Sequence, residues 1–267
     1  MVLSLELLGS VGLAASVQAR SRSVSGRESL NQPEQVHPQV SAQPTSLAQF
    51  SRDRPASLYA KAVRFNPPKV GSPRRRTGAA VRGGCPNASK DNLVALLPTT
   101  EPILTVSEYP TLFVYLPQSA ASEAELTLLS DNKRQRVYKT TIKLPKAPGI
   151  VGFSLPKDGK LPPLQVGKTY HWNFSITCGP ADQAEVGVVE GQIQRIALSP
   201  SQTNALKKTA LRDRPAFYAE AGIWYDALSS LAQLRRSTPK DAAIATDWGD
   251  LLKSVGLSAI AEKPLIP

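Results

Sequence analysis

Lys168-Thr169-Tyr170-His171-Trp172-Asn173-Phe174-Ser175-Ile176-Thr177-Cys178 alternates without a break. Successive side chains of an extended chain point to opposite faces, so Tyr170, Trp172, Phe174, Ile176 and Cys178 share one side. Thr169, His171, Asn173, Ser175 and Thr177 share the other. A strand that is apolar on one face and polar on the other belongs to an antiparallel sheet lying over a core. Arg136 to Leu144 repeats the pattern, with Tyr138, Thr140, Ile142 and Leu144 opposite Lys139, Thr141 and Lys143. Further runs bounded by Pro, Gly, Asn or Asp are Ile103 to Ser107, Thr111 to Leu116, Glu125 to Leu129, Ile150 to Leu155 and Val186 to Leu198. Seven strands without intervening helices predict antiparallel sheets folded into an immunoglobulin-like β-sandwich, because parallel neighbours need a long crossover. In the last run the apolar phase slips between Ile193 and Ile196, which predicts a bulge that re-aims Arg195.

Beyond Pro200 the apolar period lengthens. Asp213 and Pro215 open a helix whose Tyr218, Ala221, Tyr225, Leu228, Leu231 and Leu234 recur at three- and four-residue steps to about Arg236. Thr238 as N-cap with Pro239 at the first helical position starts a second helix. Its buried side carries Ile244, Trp248, Leu251, Leu252 and Val255, and it ends at Gly256, a left-handed C′ residue on which Leu257 closes. The expected fold class is α+β: a sandwich over 64–200, then a helical hairpin over 201–267 packed on it.

The N-terminal third reads differently. Leu3 to Val17 is mostly apolar and ends in Val17-Gln18-Ala19, so 1–19 resembles a secretory signal, although it lacks the usual basic start. Residues 20–63 are rich in Ser, Gln, Pro and Arg with no period, as in a disordered basic linker. From Arg64 to Pro86, turn formers alternate with charge, giving the sandwich an irregular basic lead-in. The formal charge of +11 is concentrated there: residues 20–90 hold 13 Lys and Arg against 3 Asp and Glu, whereas 91–267 hold 19 against 17. A periplasmic or otherwise exported protein is expected. No later run approaches the roughly 18 apolar residues of a membrane span.

The two cysteines, Cys85 and Cys178, exclude a zinc ribbon. One bridge between them remains possible. It would close a loop of about 90 residues, contribute roughly 4–5 kcal/mol before native strain, and persist only in an oxidising compartment.

Six stretches together look like the cyanobacterial family known as domain of unknown function 928. They are Phe65-Asn66-Pro67-Pro68, Arg82-Gly83-Gly84-Cys85, Glu108-Tyr109-Pro110-Thr111, Pro148-Gly149-Ile150, Gly191-Gln192-Ile193-Gln194-Arg195 and Tyr218-Ala219-Glu220-Ala221-Gly222-Ile223-Trp224-Tyr225-Asp226-Ala227-Leu228. The resemblance covers roughly Arg64 to Leu257. It implies a lineage and an envelope location, and lends no reaction, substrate or site residue. Gly222 to Pro239 also resembles the end of a tetratricopeptide unit, with Trp248 and Leu251 like the opening of the next, but one helix pair falls short of the three repeats a solenoid needs.

The inventory is poor in chemistry. His37 lies in the linker, and His171, on the polar face of its strand, reads as a solvated ring rather than a catalytic base. His171 and Cys178 stand seven apart on one strand and face opposite ways, so they share no metal. Asp247 and Asp250 share a helix face and are expected to look to water. Tyr109, Tyr115 and Trp224 suit either a sugar- or peptide-binding groove or, more commonly, the core. Arg74, Arg75, Arg76 and Arg82 are the expected contact for an anionic surface.

The expected function is a non-enzymatic, envelope-associated binding or scaffold protein, with no catalytic residue, metal or cofactor. Its expected partner is another envelope protein or an anionic surface of lipid headgroups or acidic polymer. One alternative is a carboxylate-based hydrolase of envelope material. Another is a cytosolic nucleic-acid binder, which export argues against and which requires free thiols and a retained leader. If the bridge forms, Cys178→Ser lowers the melting temperature in non-reducing buffer and leaves it unchanged in reducing buffer; equal losses in both would assign Cys178 to packing alone.

Overall fold

The structure, a computed structural model, describes residues 62–68, 92–178 and 185–266. These lie within one compact unit spanning 55–267. The leader, Arg74, Arg75, Arg76, Arg82 and Cys85 fall outside the described residues.

Among the described residues eight strands form two sheets. In the smaller, β3 (Thr111–Leu116) lies between β1 (Val94–Ala95) and β6 (Gly149–Ser154). The larger runs in the order β2 (Leu104–Thr105), β8 (Glu185–Arg195), β7 (Thr169–Cys178), β4 (Glu123–Ser130) and β5 (Arg136–Lys143). The alternation in β7 is realised: Trp172, Phe174 and Ile176 are buried, while His171, Asn173 and Ser175 keep partial exposure. Phe174 stacks on Phe153 of β6 with ring centroids 5.0 Å apart, which ties the two sheets together.

Three strand expectations need correction. There are eight strands rather than seven, because Val94–Ala95 pairs with β3 through only two residues and leaves no periodic trace. The sandwich is not wholly antiparallel. β2 pairs with β8 in parallel, and the crossover between them is the intervening series of strands rather than a helix. Finally, β8 pairs with β7 without a register shift through Gln194, and the strand simply ends at Arg195 before Ile196; the irregularity falls in β4, between Leu128 and Leu129. β3 shows no alternation because it is buried on both faces, with α3 packed against it.

The helical part has more breaks than a hairpin. It comprises α1 (Pro200–Lys208), a 3₁₀ turn (Leu211–Asp213), α2 (Arg214–Glu220), α3 (Trp224–Ser237), α4 (Ala242–Ser254) and α5 (Ser258–Ala261). Ser199 and Gln202 form a reciprocal capping box that starts α1, a helix absent from the sequence reading. The helix expected from Pro215 to Arg236 is interrupted at Gly222 (φ 74°). There Ile223 N donates to Tyr218 O at 2.9 Å and Gly222 N to Ala219 O at 3.2 Å, a Schellman closure. Gly256 (φ 74°) closes α4 identically, with Leu257 N donating to Leu252 O at 2.9 Å, as expected. The N-cap of α4 is Asp241, whose carboxylate accepts from Ala243 N and Ile244 N, not Thr238; Thr238 instead ends α3, donating its hydroxyl to Leu234 O.

The extreme C-terminal segment returns to the sandwich. Ile150 N donates to Pro264 O at 2.7 Å and Ile266 N to Ile150 O at 2.8 Å, so Leu265 adds a parallel bridge at the free side of β6. Only glycine fits at 149, because a Cβ there would lie 2.6 Å from Ile266 Cγ1 and 2.7 Å from Pro264 O. Gly149→Ala is therefore expected to lift this segment and cost about 1–3 kcal/mol in urea unfolding. In a chain truncated after Glu262 the same substitution should cost nearly nothing, and equal costs in both backgrounds would disprove the coupling.

Candidate functional site

The start of α3 holds the helices on the sandwich. Successive residues of a helix turn about 100° apart, so Trp224, Tyr225 and Asp226 reach three different parts of the β layer. Trp224 Nε1 donates to Leu96 O, just past β1, at 2.9 Å. The Tyr225 hydroxyl donates to Gln192 O of β8 at 2.6 Å and accepts from Trp172 Nε1 of β7 at 3.0 Å. Asp226 Oδ2 accepts from Thr105 Oγ1 at 2.8 Å and Val106 N at 3.0 Å, fixing the end of β2. Burial pushes the Asp226 carboxyl above the ordinary carboxylate range, an effect opposed by the Thr105 and Val106 hydrogen bonds. Burial likewise pushes the Tyr225 phenol up, leaving it a neutral donor and acceptor.

Residues 62–68 latch onto the same joint. Phe65 meets Trp224 edge-on with centroids 5.1 Å apart, and its backbone N donates to Ser254 Oγ at 3.0 Å. Asn66 N donates to Ala219 O at 3.0 Å. Val63, placed in the linker on sequence grounds, is buried. Arg195, in register with Thr105 of β2, donates through Nη1 to Leu164 O and pairs through Nη2 with Glu108 Oε1 at 3.1 Å. It clamps two loops although no bulge aims it. Gly191 lets Trp172 and Leu97 close over β8, since a Cβ there would lie 2.6 Å from the indole and 2.5 Å from Leu97 Cδ1.

The aromatic groove considered from sequence does not form: Tyr115 and Trp224 are core, and Tyr109 packs against it. Asp247 does not look to water but pairs with Arg212 at 2.7 Å, the two side chains 17% and 25% exposed. His171 stands on the outer face of the larger sheet, opposite Gln192 and Leu129. Burial lowers its pKa and Lys133 lowers it further, while Asp131 and Glu101 oppose. Among the described residues no three of His, Cys, Asp and Glu gather as a metal centre would require. No helix among them is long and apolar enough to cross a membrane. Cys178 ends β7 opposite Glu185, and its pairing with Cys85 lies outside the described residues.

A different site emerges beside β5. The turn between β4 and β5 and the segment before β7 enclose a groove of about 450 Å³, lined by Asp131, Asn132, Gln135, Pro163, Lys168 and Tyr170 among others. Lys133 adopts φ 57° at the turn, and Lys133 N donates to Ser130 O at 2.8 Å. Lys160, paired with Asp158 at 3.1 Å, lies within electrostatic range of Tyr138 on β5. Residues 131–168 hold nine Lys and Arg against two Asp and Glu. This segregation was readable in the sequence, but the near-neutral total for 91–267 hid it.

Eight strands in two packed sheets followed by helices define an α+β protein built on an immunoglobulin-like sandwich. Residues 77–265 match the family described as Domain of Unknown Function (DUF928), and the chain belongs to that family. No curated protein matches. Among solved structures, the fn3 domain of human collagen alpha-1(XX) chain is similar at 14% identity, covering 46% of this chain and 92% of that one with a TM-score of 0.24.

Asp226→Ala leaves the Val106 N–H without its acceptor and is expected to cost about 1–3 kcal/mol. Asp226→Asn keeps an oxygen there and should cost less. Because the folded state holds the Asp226 proton more tightly than the unfolded chain, this residue's contribution is greatest at low pH and declines as pH rises past the ordinary carboxylate range and through the raised folded-state range. Urea unfolding across that range should show this decline in the parent and not in Asp226→Asn; parallel pH profiles would refute the assignment.

Proposed function

We propose that the protein is a non-enzymatic binding module of the cell envelope that engages an anionic surface or polymer through the basic flank around β5. The observation that carries this reading is the charge segregation: nine bases against two acids in residues 131–168 of a folded part that is otherwise acidic on balance. Arg136, Lys139 and Lys143 are exposed along the outermost strand of the larger sheet. Lys139 pairs with Glu125 at 2.7 Å, Lys160 pairs with Asp158 at 3.1 Å and Lys143 stands in register with Glu123, so the reading rests most on Lys133, Arg134 and Arg136, which are exposed at the turn and the start of β5. Clustered charge of one sign raises the local concentration of counter-ions and steers association, and each Lys or Arg beside an anionic membrane contributes about 1 kcal/mol at most.

The joint supports the same reading from another side. The motif residues that carry the family resemblance, where described, hold loops and layers together: Phe65 and Asn66, Glu108 with Arg195, Gly149, Gly191 and Trp224 to Asp226. Export, cyanobacterial origin and the Cys85–Cys178 bridge belong to this proposal, as do Arg74, Arg75, Arg76 and Arg82 as a second basic contact.

Retention on immobilised heparin and on vesicles containing phosphatidylserine tests it. Reversing Lys133, Arg134 and Arg136 together to Glu should lower the salt needed for elution from both supports, and replacing Arg74, Arg75 and Arg76 by Ala should lower it further. Unchanged elution in both variants would reject an anionic partner.

A further inference from the structure

We infer that the groove beside the β4–β5 turn is a carbohydrate subsite for a pyranose that bears a carboxylate. This rests on the anion-binding reading and names its ligand. The volume, about 450 Å³, falls within the range of roughly 300–1,000 Å³ common to small-molecule sites. Its walls divide by chemistry. Val137, Pro162 and Pro163 offer a C–H surface of the kind that packs on the apolar face of a sugar ring. Asp131, Asn132, Gln135 and Gln165 offer planar amide and carboxylate ends, whose adjacent hydrogen-bonding positions suit vicinal hydroxyls.

The polar wall is held in place before any ligand arrives. Asn132 Oδ1 accepts from Ser130 Oγ at 2.8 Å and from Arg134 N at 3.0 Å, which engages that oxygen and leaves Nδ2 as the donor end of the amide. Ser130 Oγ also accepts from Gln135 N at 3.2 Å. The Tyr170 hydroxyl accepts from Gln165 N at 3.1 Å and keeps its own proton to give. Such fixed donors lower the ordering cost of binding. Lys168 is the ammonium lining the groove, and it matches one carboxylate. Asp131 on the same lining disfavours a phosphate dianion, and the side-chain amides favour a polyhydroxylated ring over an extended acidic peptide, whose backbone would seek an amide ladder.

Calorimetric titration of the full chain with a galacturonic acid trimer, the neutral galactose trimer and a glutamate oligomer of the same charge tests the inference. The acidic trisaccharide should bind roughly ten- to hundredfold more tightly than the neutral one, the range one charge-assisted hydrogen bond supplies. Lys168→Gln should erase that preference, and Gln135→Ala should weaken both sugars by the same factor. Binding of the glutamate oligomer equal to that of the acidic sugar, with Gln135→Ala silent, would overturn the sugar assignment. So would no binding of any probe by a protein that still elutes late from heparin, which leaves the anionic partner standing; early elution from heparin together with no binding overturns both.

Discussion

A buried phenol lies at the centre of the joint between the two halves of the molecule. Tyr225 takes the Trp172 N–H and gives its own proton to Gln192 O, so two adjacent central strands of the larger sheet are tied to the first turn of α3. Neither the Trp172 indole nor the Tyr225 ring has water as an alternative, since both are essentially without exposure. Removing the hydroxyl alone would strand a buried donor and acceptor at about 1–3 kcal/mol, and separating the layers would expose the apolar area of Trp172, Trp224 and Tyr225. The consequence is that sandwich and helices behave as one folding unit, although the sequence pattern changes period at Pro200.

Legibility followed burial. The alternation from Thr169 to Cys178 was readable because that strand has one wet face, and Thr111 to Leu116 was readable only as an apolar run because it has none. The two-residue strands Val94–Ala95 and Leu104–Thr105 exist through their partners, β3 and β8, and neither the first strand nor the parallel pairing of the second leaves a local trace. Gly222 fits the helical period of its neighbours, so its left-handed turn was hidden, whereas Gly256 sits where the period stops. Thr238-Pro239 misled because proline is as common just after a helix as at its first position, and Asp241 won the N-cap with two hydrogen bonds.

The candidate site was less legible than the fold. A groove depends on two loops, 130–137 and 162–170, that meet only after β4, β5 and β7 align, and no spacing in the chain announces that meeting. The charge of the flank around it was present in the composition of 131–168 but cancelled by acids elsewhere. The short motifs, by contrast, were conspicuous as residues and turned out to mark joints. Gly149 admits the C-terminal segment, Gly191 admits an indole, and Asn66 approaches Gly222 so closely that a Cβ there would lie 3.0 Å from its carbonyl oxygen. The most recognisable residues thus explain why the layers stay together, and the least patterned loops line the groove beside β5.

Native-state amide hydrogen exchange of the parent and of Tyr225→Phe bears most closely on the joint. In the parent, amides of β7, β8 and α3 should exchange through one global opening with a common free energy, and the phenylalanine variant should lower all three together by about 1–3 kcal/mol. Exchange of α3 at a lower free energy than β7 and β8 in the parent, or a loss confined to α3 in the variant, would mean that the helices and the sandwich are separate units and that Tyr225 does not bind them.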